Sequence, residues 1–229
     1  MHLKGCEVLN IVVIGANGQI GRYLIKYLTE SGQHKVKALV HNTAQSAYFG
    51  QLGIESFVLH STQSLDGFVN WIKGIDVFVF AGSIEGEDRE GSILTEVDST
   101  IRLFEAIIFA KGKRVIYVST IDIGKENWPR FPEFYRPLLV KNHHIVQWVR
   151  NSDLDYTIIQ TGNLSDCRGT GYIKIVELDA VKGEISYEDT AKAILQCIET
   201  NATIKREFKI VTGKLPIADA IMESGISNL

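Results

Sequence analysis

Cysteine is scarce in this chain of 229 residues: Cys6, Cys167 and Cys197 are an odd three with no C-x-x-C spacing. That pattern supports neither a disulfide framework nor a thiolate metal site, and inert thiols agree with a reducing compartment. Charge of one sign is also lacking. The 24 Lys and Arg residues stand against 27 Asp and Glu, for a net charge of −3. No basic patch invites a nucleic acid and no polybasic stretch an anionic membrane. No apolar run approaches the ~18 residues of a membrane span. The first ten residues, MHLKGCEVLN, lack the apolar core of a secretion signal. A cytoplasmic protein is expected, with a small-molecule substrate and neither nucleic acid nor membrane as partner. Internal repeats, low-complexity tracts and linkers are absent, so residues 1–229 are expected to form one domain. Its size needs no disulfide or metal to close a core.

What is present alternates between strand and helix. Leu9–Ile14 is a continuous, mostly β-branched run, as in a parallel strand covered on both faces. After Gly15–Gly21, Ile20, Leu24, Tyr27 and Leu28 share a helical face, and Gly32 ends the segment. Further strands are expected at Val36–Val40, Ile54–Leu59, Val77–Phe80, Arg114–Val118, Tyr156–Thr161, Ile173–Val176 and Phe208–Val211. Helices are expected at Ala44–Leu52, Leu65–Lys73, Leu138–Arg150 and after Pro216. Leu94, Val97, Ile101, Phe104 and Ile108 mark the clearest amphipathic helix. Ser186 and Asp189 have capping-box spacing before the stripe Ala191, Ile194, Leu195 and Ile198. Such β-α-β units define an α/β class with a doubly wound parallel sheet.

Proline is rare as well, and three of the four lie between Trp128 and Pro137, beside Trp128, Phe131, Phe134 and Tyr135. Ligands in such sheets sit outside the carboxyl ends of the strands. This excursion is therefore expected to wall a substrate pocket, with residues 121–137 and 163–186 on the substrate side.

IVVIGANGQIG, residues 11–21, carries the chemistry. Its glycines stand three apart, after an apolar strand and before a helix, the context a dinucleotide loop requires. Gly15 permits the turn, Gly18 lets the backbone approach a pyrophosphate, and Gly21 allows close packing of the helix. The helix start, with Asn17, Gln19 and Ile20, offers N–H groups and a positive dipole end to the phosphates.

The loop GANGQIG, strand two ending in ALVHN, the VDSTIRLFEA helix, the strand RVIYVST, the segment SDLDYTIIQTGNL and the late ISYEDTAKAI together resemble an atypical short-chain dehydrogenase/reductase. The nearest group is the NAD(P)H-binding, NmrA-like proteins, which include reductases similar to flavin/biliverdin reductase. The resemblance spans roughly residues 9–213 and implies a Rossmann-type fold. It also implies that residues after strand two recognise the adenosine 2′-phosphate, commonly through arginine. Here His41 and Asn42 stand there, both able to donate. No carboxylate ends strand two to accept from the ribose hydroxyls, so NADP(H) is expected over NAD(H). Strand three ends in Leu59-His60-Ser61, without the acidic residue the family often places near adenine. By the same resemblance Ala81, Gly82 and Ser83 admit the cofactor ribose. Ser119 and Thr120 line the nicotinamide, and Gly162 sits beside its ring.

The family's catalytic pattern breaks at one point. In Y-x-x-x-K, tyrosine and lysine share a helix face, and lysine lowers the tyrosine pKa. Lys141 matches the lysine, which by the resemblance also holds the nicotinamide ribose of the cofactor, but Pro137 stands where the tyrosine belongs. Tyr135 lies six residues before Lys141, out of helical register. The catalytic candidates are thus Thr120, Lys141 and, through a loop movement, Tyr135. Asp122 is read as a loop carboxylate. The adjacent His143 and His144 point to different helix faces with no third ligand, so no metal site is expected. No Ser/His/Asp triad appears. The expected function is an NAD(P)H-dependent oxidoreductase. The alternative is an NADP(H)-binding sensor without chemistry. An epimerase or dehydratase ranks third, because the chain is short for a substrate domain and lacks their tyrosine.

Overall fold

Ile11, Val12, Val13 and Ile14 are all fully buried, because strand β1 (Asn10–Ile14) is covered on both faces. Side chains alternate across a strand. Ile11 and Val13 join one hydrophobic cluster with Leu24, Leu28, Ile194 and Ile198. Val12 and Ile14 join another with Phe68, Phe104, Val146 and Val149. The computed structural model describes residues 7–59, 65–82, 93–120, 125–176 and 183–226. Ser83, His60, Ser61, Asp122 and Cys6 lie outside the described residues.

The other strands are β2 (Lys35–Val40), β3 (Glu55–Val58), β4 (Val77–Phe80), β5 (Arg114–Thr120), β6 (Asp155–Thr161), β7 (Asn163–Ser165), β8 (Tyr172–Ile175), β9 (Glu184–Ser186), β10 (Arg206–Thr212) and β11 (Leu215–Pro216). The helices are α1 (Gln19–Ser31), α2 (Thr43–Gln51), α3 (Asp66–Trp71), α4 (Ile93–Phe109), α5 (Arg136–Arg150), α6 (Tyr187–Ile198) and α7 (Ile217–Ile226). Among the described residues the main sheet has the order β11-β8-β10-β6-β5-β4-β1-β2-β3. The pairs from β3 through β10 are parallel. Helices α1 and α6 pack on one face, and α3, α4 and α5 on the other. This is the Rossmann-type doubly wound sheet. Its strand order reverses between β1 and β4, which opens the crevice where ligands bind.

The sheet departs from the expected all-parallel form at one edge. Strand β8 pairs antiparallel with β10, and the two-residue β11 pairs antiparallel with β8. A second, two-stranded parallel ladder joins β7 to β9. At Gly213, between β10 and β11, a Cβ would come within 2.3 Å of the Ile173 backbone. That turn lies directly on β8.

The ISYEDTAKAI segment fixes this edge. Ser186 caps α6 by accepting from the Asp189 N–H. The buried Asp189 carboxylate accepts from the backbone N–H groups of Thr170 and Gly171 at 2.7 and 2.8 Å. Glu188 accepts from the Gly169 N–H, the Tyr27 hydroxyl and the Lys192 ammonium. The segment entering β8 is thus tied to α6 and to α1. These donors, Lys192 foremost, hold the Glu188 carboxyl down at about 2 from an ordinary value of 4.5. A depressed folded-state pKa contributes stability above the unfolded pKa and loses it as pH falls through the folded one. Acid unfolding should therefore include a Glu188 contribution between pH 4.5 and about 2. A pH series of denaturant melts should be flatter across that window in Glu188→Gln than in wild type. Identical slopes would show that the three donors do not favour the ionised form.

Candidate functional site

The site begins where β1 meets α1. Gly15 has φ +76°, a left-handed conformation natural to glycine. A Cβ there would lie 3.1 Å from the Gly82 nitrogen, so the ends of β1 and β4 are in near contact. Gly18 caps α1 in extended conformation, donating its N–H to Gly15 O at 3.0 Å. No side chain caps this helix, which leaves its first N–H groups to an anion. At Gly21 a Cβ would come within 2.4 Å of Gly15 O and 2.8 Å of the Ala16 Cα. Its glycine is thus demanded by the loop backbone on which the helix packs. Arg22, the next residue, was not singled out by the sequence. Its guanidinium donates to Asn17 O and Oδ1 at 2.9 and 2.6 Å and lies over the Tyr48 ring. Asn17 therefore spends its side-chain oxygen on bracing the loop. Gln19 borders a groove between α1 and α2.

After β2, the His41 N–H donates to Gln45 Oε1, and Asn42 Oδ1 accepts from the Gln45 N–H as the α2 cap. Burial pushes the His41 imidazole below its ordinary 6.5.

The carboxyl ends of β4, β5 and β6 enclose a cavity of about 150 Å³. Ile20, Ala81, Gly82, Ser119, Thr120 and Lys141 all line it, so residues read from separate motifs converge. Ser119 is 6% exposed and its Oγ has no hydrogen-bond partner among the described residues. A buried hydroxyl without a partner costs roughly 1–3 kcal/mol, which a ligand in the cavity would recover. Thr120 Oγ1 accepts from Asn142 Nδ2, leaving its own O–H to point elsewhere. Lys141 Nζ is 2.9 Å from Glu96 Oε2, with both side chains mostly buried. Glu96, Asn142 and Tyr117 also line the cavity, and sequence reasoning missed all three. Glu96 reads as the polar face of an amphipathic helix and Tyr117 as one residue of a core strand.

Three features expected near the nicotinamide do not line this cavity. The aromatic excursion does not wall this cavity. Trp128 and Phe131 pack with Leu139 against Val176 and Val211, and the apolar lining is Ile20, Phe80, Val118, Leu138 and Leu164. Val176 follows β8 and Val211 lies in β10, two strands the sequence did indicate but whose antiparallel pairing it did not. Tyr135 stands at the N-terminal boundary of α5 without a side-chain capping hydrogen bond and is 43% exposed. It packs on Phe131 and Phe134, because Pro137 starts the helix and leaves it on the preceding 3₁₀ turn. Gly162 does not border the cavity either. A Cβ there would meet Gly183 O at 2.4 Å, so close passage of the chain before β9 accounts for its glycine. Thr161 and Leu164 are the lining residues from that stretch. Among the described residues no three His, Cys, Asp or Glu side chains are grouped to hold a metal. No described helix is long and apolar enough to cross a membrane.

Residues 15–201 match the NAD(P)H-binding family, and the chain belongs to it. A Bacillus subtilis (strain 168) relative, named "Uncharacterized sugar epimerase YhfK", is 31% identical over 215 residues, covering 93% of this chain and 99% of the relative. A solved structure from Bacillus halodurans, named "Putative NAD-dependent epimerase/dehydratase", superposes with a TM-score of 0.83 at 26% identity, covering 94% of this chain and 99% of that one. ChuY of Escherichia coli O157:H7, described as an anaerobillin reductase, shares the fold with a TM-score of 0.73 at 17% identity, over 90% of this chain and 98% of ChuY. This is the company of the atypical short-chain dehydrogenase/reductases.

Proposed function

We propose that the protein is an NADP(H)-dependent oxidoreductase acting on a small-molecule acceptor, with the nicotinamide half of the cofactor in the β4–β6 cavity. One observation carries the reading. The unpartnered Ser119 hydroxyl, nine-tenths buried, opens into a cavity that also touches Ile20 of the glycine loop. The residues fit the cofactor. The uncapped start of α1 would hold the pyrophosphate, Ala81 and Gly82 would admit the ribose, and Ser119 would bond the carboxamide. When bound, the cofactor supplies a hydride. The chain supplies orientation, exclusion of water and hydrogen-bond donors. Purified protein should oxidise NADPH with a carbonyl, quinone or flavin acceptor. Stoichiometric NADPH binding without turnover on any of them would leave the second reading, a cofactor-binding sensor. That reading is favoured by Lys141 already being bound to Glu96.

Preference for NADP(H) rests on His41 and Asn42 and on the lack of a carboxylate ending β2. Because burial keeps the imidazole neutral to lower pH, its contribution to a 2′-phosphate should grow only below pH ~6.5. The ratio of NADPH to NADH affinity should rise severalfold from pH 7.5 to pH ~5.5 and stay flat in His41→Ala. A ratio independent of pH in wild type would remove His41 from phosphate recognition.

A further inference from the structure

Helix α5 has no tyrosine to deliver a proton, yet the cavity is lined by one. Tyr117 comes from β5, two residues before Ser119, and shares the cavity with Lys141 of α5 and Glu96 of α4. We propose that Tyr117 is the proton-donating catalytic residue of this site, with Glu96 and Lys141 as its positioning pair. Tyr117 from a strand and Lys141 from a helix line the same cavity, with Glu96 bonded to the lysine. The inference rests on the oxidoreductase reading above.

The surroundings of Tyr117 support the role. Its ring is fixed between Phe80 and Phe104, at centroid distances of 6.1 and 6.0 Å. Such packing limits the phenol to few positions. Burial first, and then the Glu96 charge, push the phenol upward. That keeps it protonated at physiological pH yet makes it a weaker acid than a lysine-paired tyrosine, so the role rests on its place in the cavity. Glu96 is itself neutralised by Lys141 at 2.9 Å, which places a cation within the cluster. The groups facing the phenol are thus a carboxylate from α4 and, through it, an ammonium from α5. Tyr135 offers no such setting, since it lies exposed outside the cavity.

The substrate carbonyl carbon accepts a hydride from the reduced nicotinamide. The carbonyl π pair moves onto oxygen, and that oxygen takes the proton of Tyr117 Oη. The phenolate is reprotonated from the Lys141 ammonium, and the lysine from solvent. The net change is carbonyl and H⁺ to alcohol, with oxidation of the nicotinamide. An acceptor such as a quinone or flavin takes its proton from solvent and has no need of the phenol.

Tyr117→Phe keeps the ring and removes the proton, so it separates catalysis from packing. It should lower kcat for an aldehyde acceptor by about 100-fold, the low end for general acid catalysis. Turnover with a quinone should fall by less than about threefold, and the solvent deuterium isotope effect on aldehyde reduction should vanish. In the cofactor-free protein, Glu96→Gln should move the carbon-13 resonance of the Tyr117 Cζ, because the charge facing the phenol is gone. Equal effects on both acceptors, no effect on either, or an unmoved Cζ resonance would overturn the assignment to Tyr117. A wild type that reduces neither acceptor would overturn the oxidoreductase reading itself.

Discussion

Gly21→Ala is expected to weaken NADP(H) binding by at least about 100-fold, roughly 2.7 kcal/mol. The added methyl would sit 2.4 Å from Gly15 O and 2.8 Å from the Ala16 Cα and O. All three atoms are backbone, so no side chain can turn away. Relief requires moving the loop off α1, and that breaks the Gly18 N–H bond to Gly15 O that shapes the turn. The helix N-terminus would then no longer face the pyrophosphate in the right register. Gly50→Ala is the control. It lies in α2 with nothing within 4 Å of the new carbon. It should leave affinity unchanged and raise stability by about 0.5–1 kcal/mol, as alanine replacing glycine within a helix does. Calorimetric titration of both variants, with circular dichroism to confirm folding, checks the pair. Undiminished binding in Gly21→Ala would mean that the loop is not the cofactor seat.

The second large effect is on stability. Arg114, at the start of β5, donates to Asp155 O at 2.9 Å, to Cys197 O at 2.9 Å and to Thr203 Oγ1 at 2.8 Å. One guanidinium therefore ties β6, the end of α6 and the turn before β10 to the central strand. Its acceptors are shielded from water, with Cys197 and Thr203 fully buried. Truncation removes the guanidinium donor from all three, with Cys197 O keeping only a 3.3 Å bond from the Thr203 hydroxyl, at roughly 1–3 kcal/mol for each donor lost before relaxation. Arg114→Ala should cost about 4 kcal/mol and lower Tm by about 10 °C for a chain of this size. Arg114→Lys should recover only part, because an ammonium does not reproduce the planar fork. Lys26→Ala, which removes an exposed ion pair 3.9 Å from Glu30, should stay within about 0.5 kcal/mol of wild type. Chemical denaturation of the three variants decides it. Similar losses for Arg114→Ala and Lys26→Ala would show that the buried acceptors find water.

The parts of the fold legible in the sequence are those written in local pattern. The run Ile11–Ile14 is buried on both faces as its apolar continuity implies, and the glycine loop lies between strand and helix as its spacing requires. Ser186 caps α6 where the box predicted. What stayed hidden depends on partners distant in sequence. Strand β8 is antiparallel because its neighbours are β10 and β11, and nothing within YIKI names them. The ladder of β7 and β9 is three residues per strand, too short for periodicity to register. Glu96, Tyr117 and Asn142 each occupy an ordinary position on their own element. They become a site only where α4, β5 and α5 meet. Conversely, the cluster of prolines and rings at 128–135 suggested a pocket wall because it was locally unusual, yet Trp128 and Phe131 pack on the β8–β10 edge.

The most direct measurement is a crystal structure of the protein with NADP⁺ bound. The pyrophosphate should lie over the N–H groups at the start of α1, and the nicotinamide in the cavity with Ser119 Oγ within hydrogen-bond distance of its carboxamide. A nicotinamide directed away from Ser119, or a cofactor seated elsewhere than the Gly15–Gly21 loop, would contradict it.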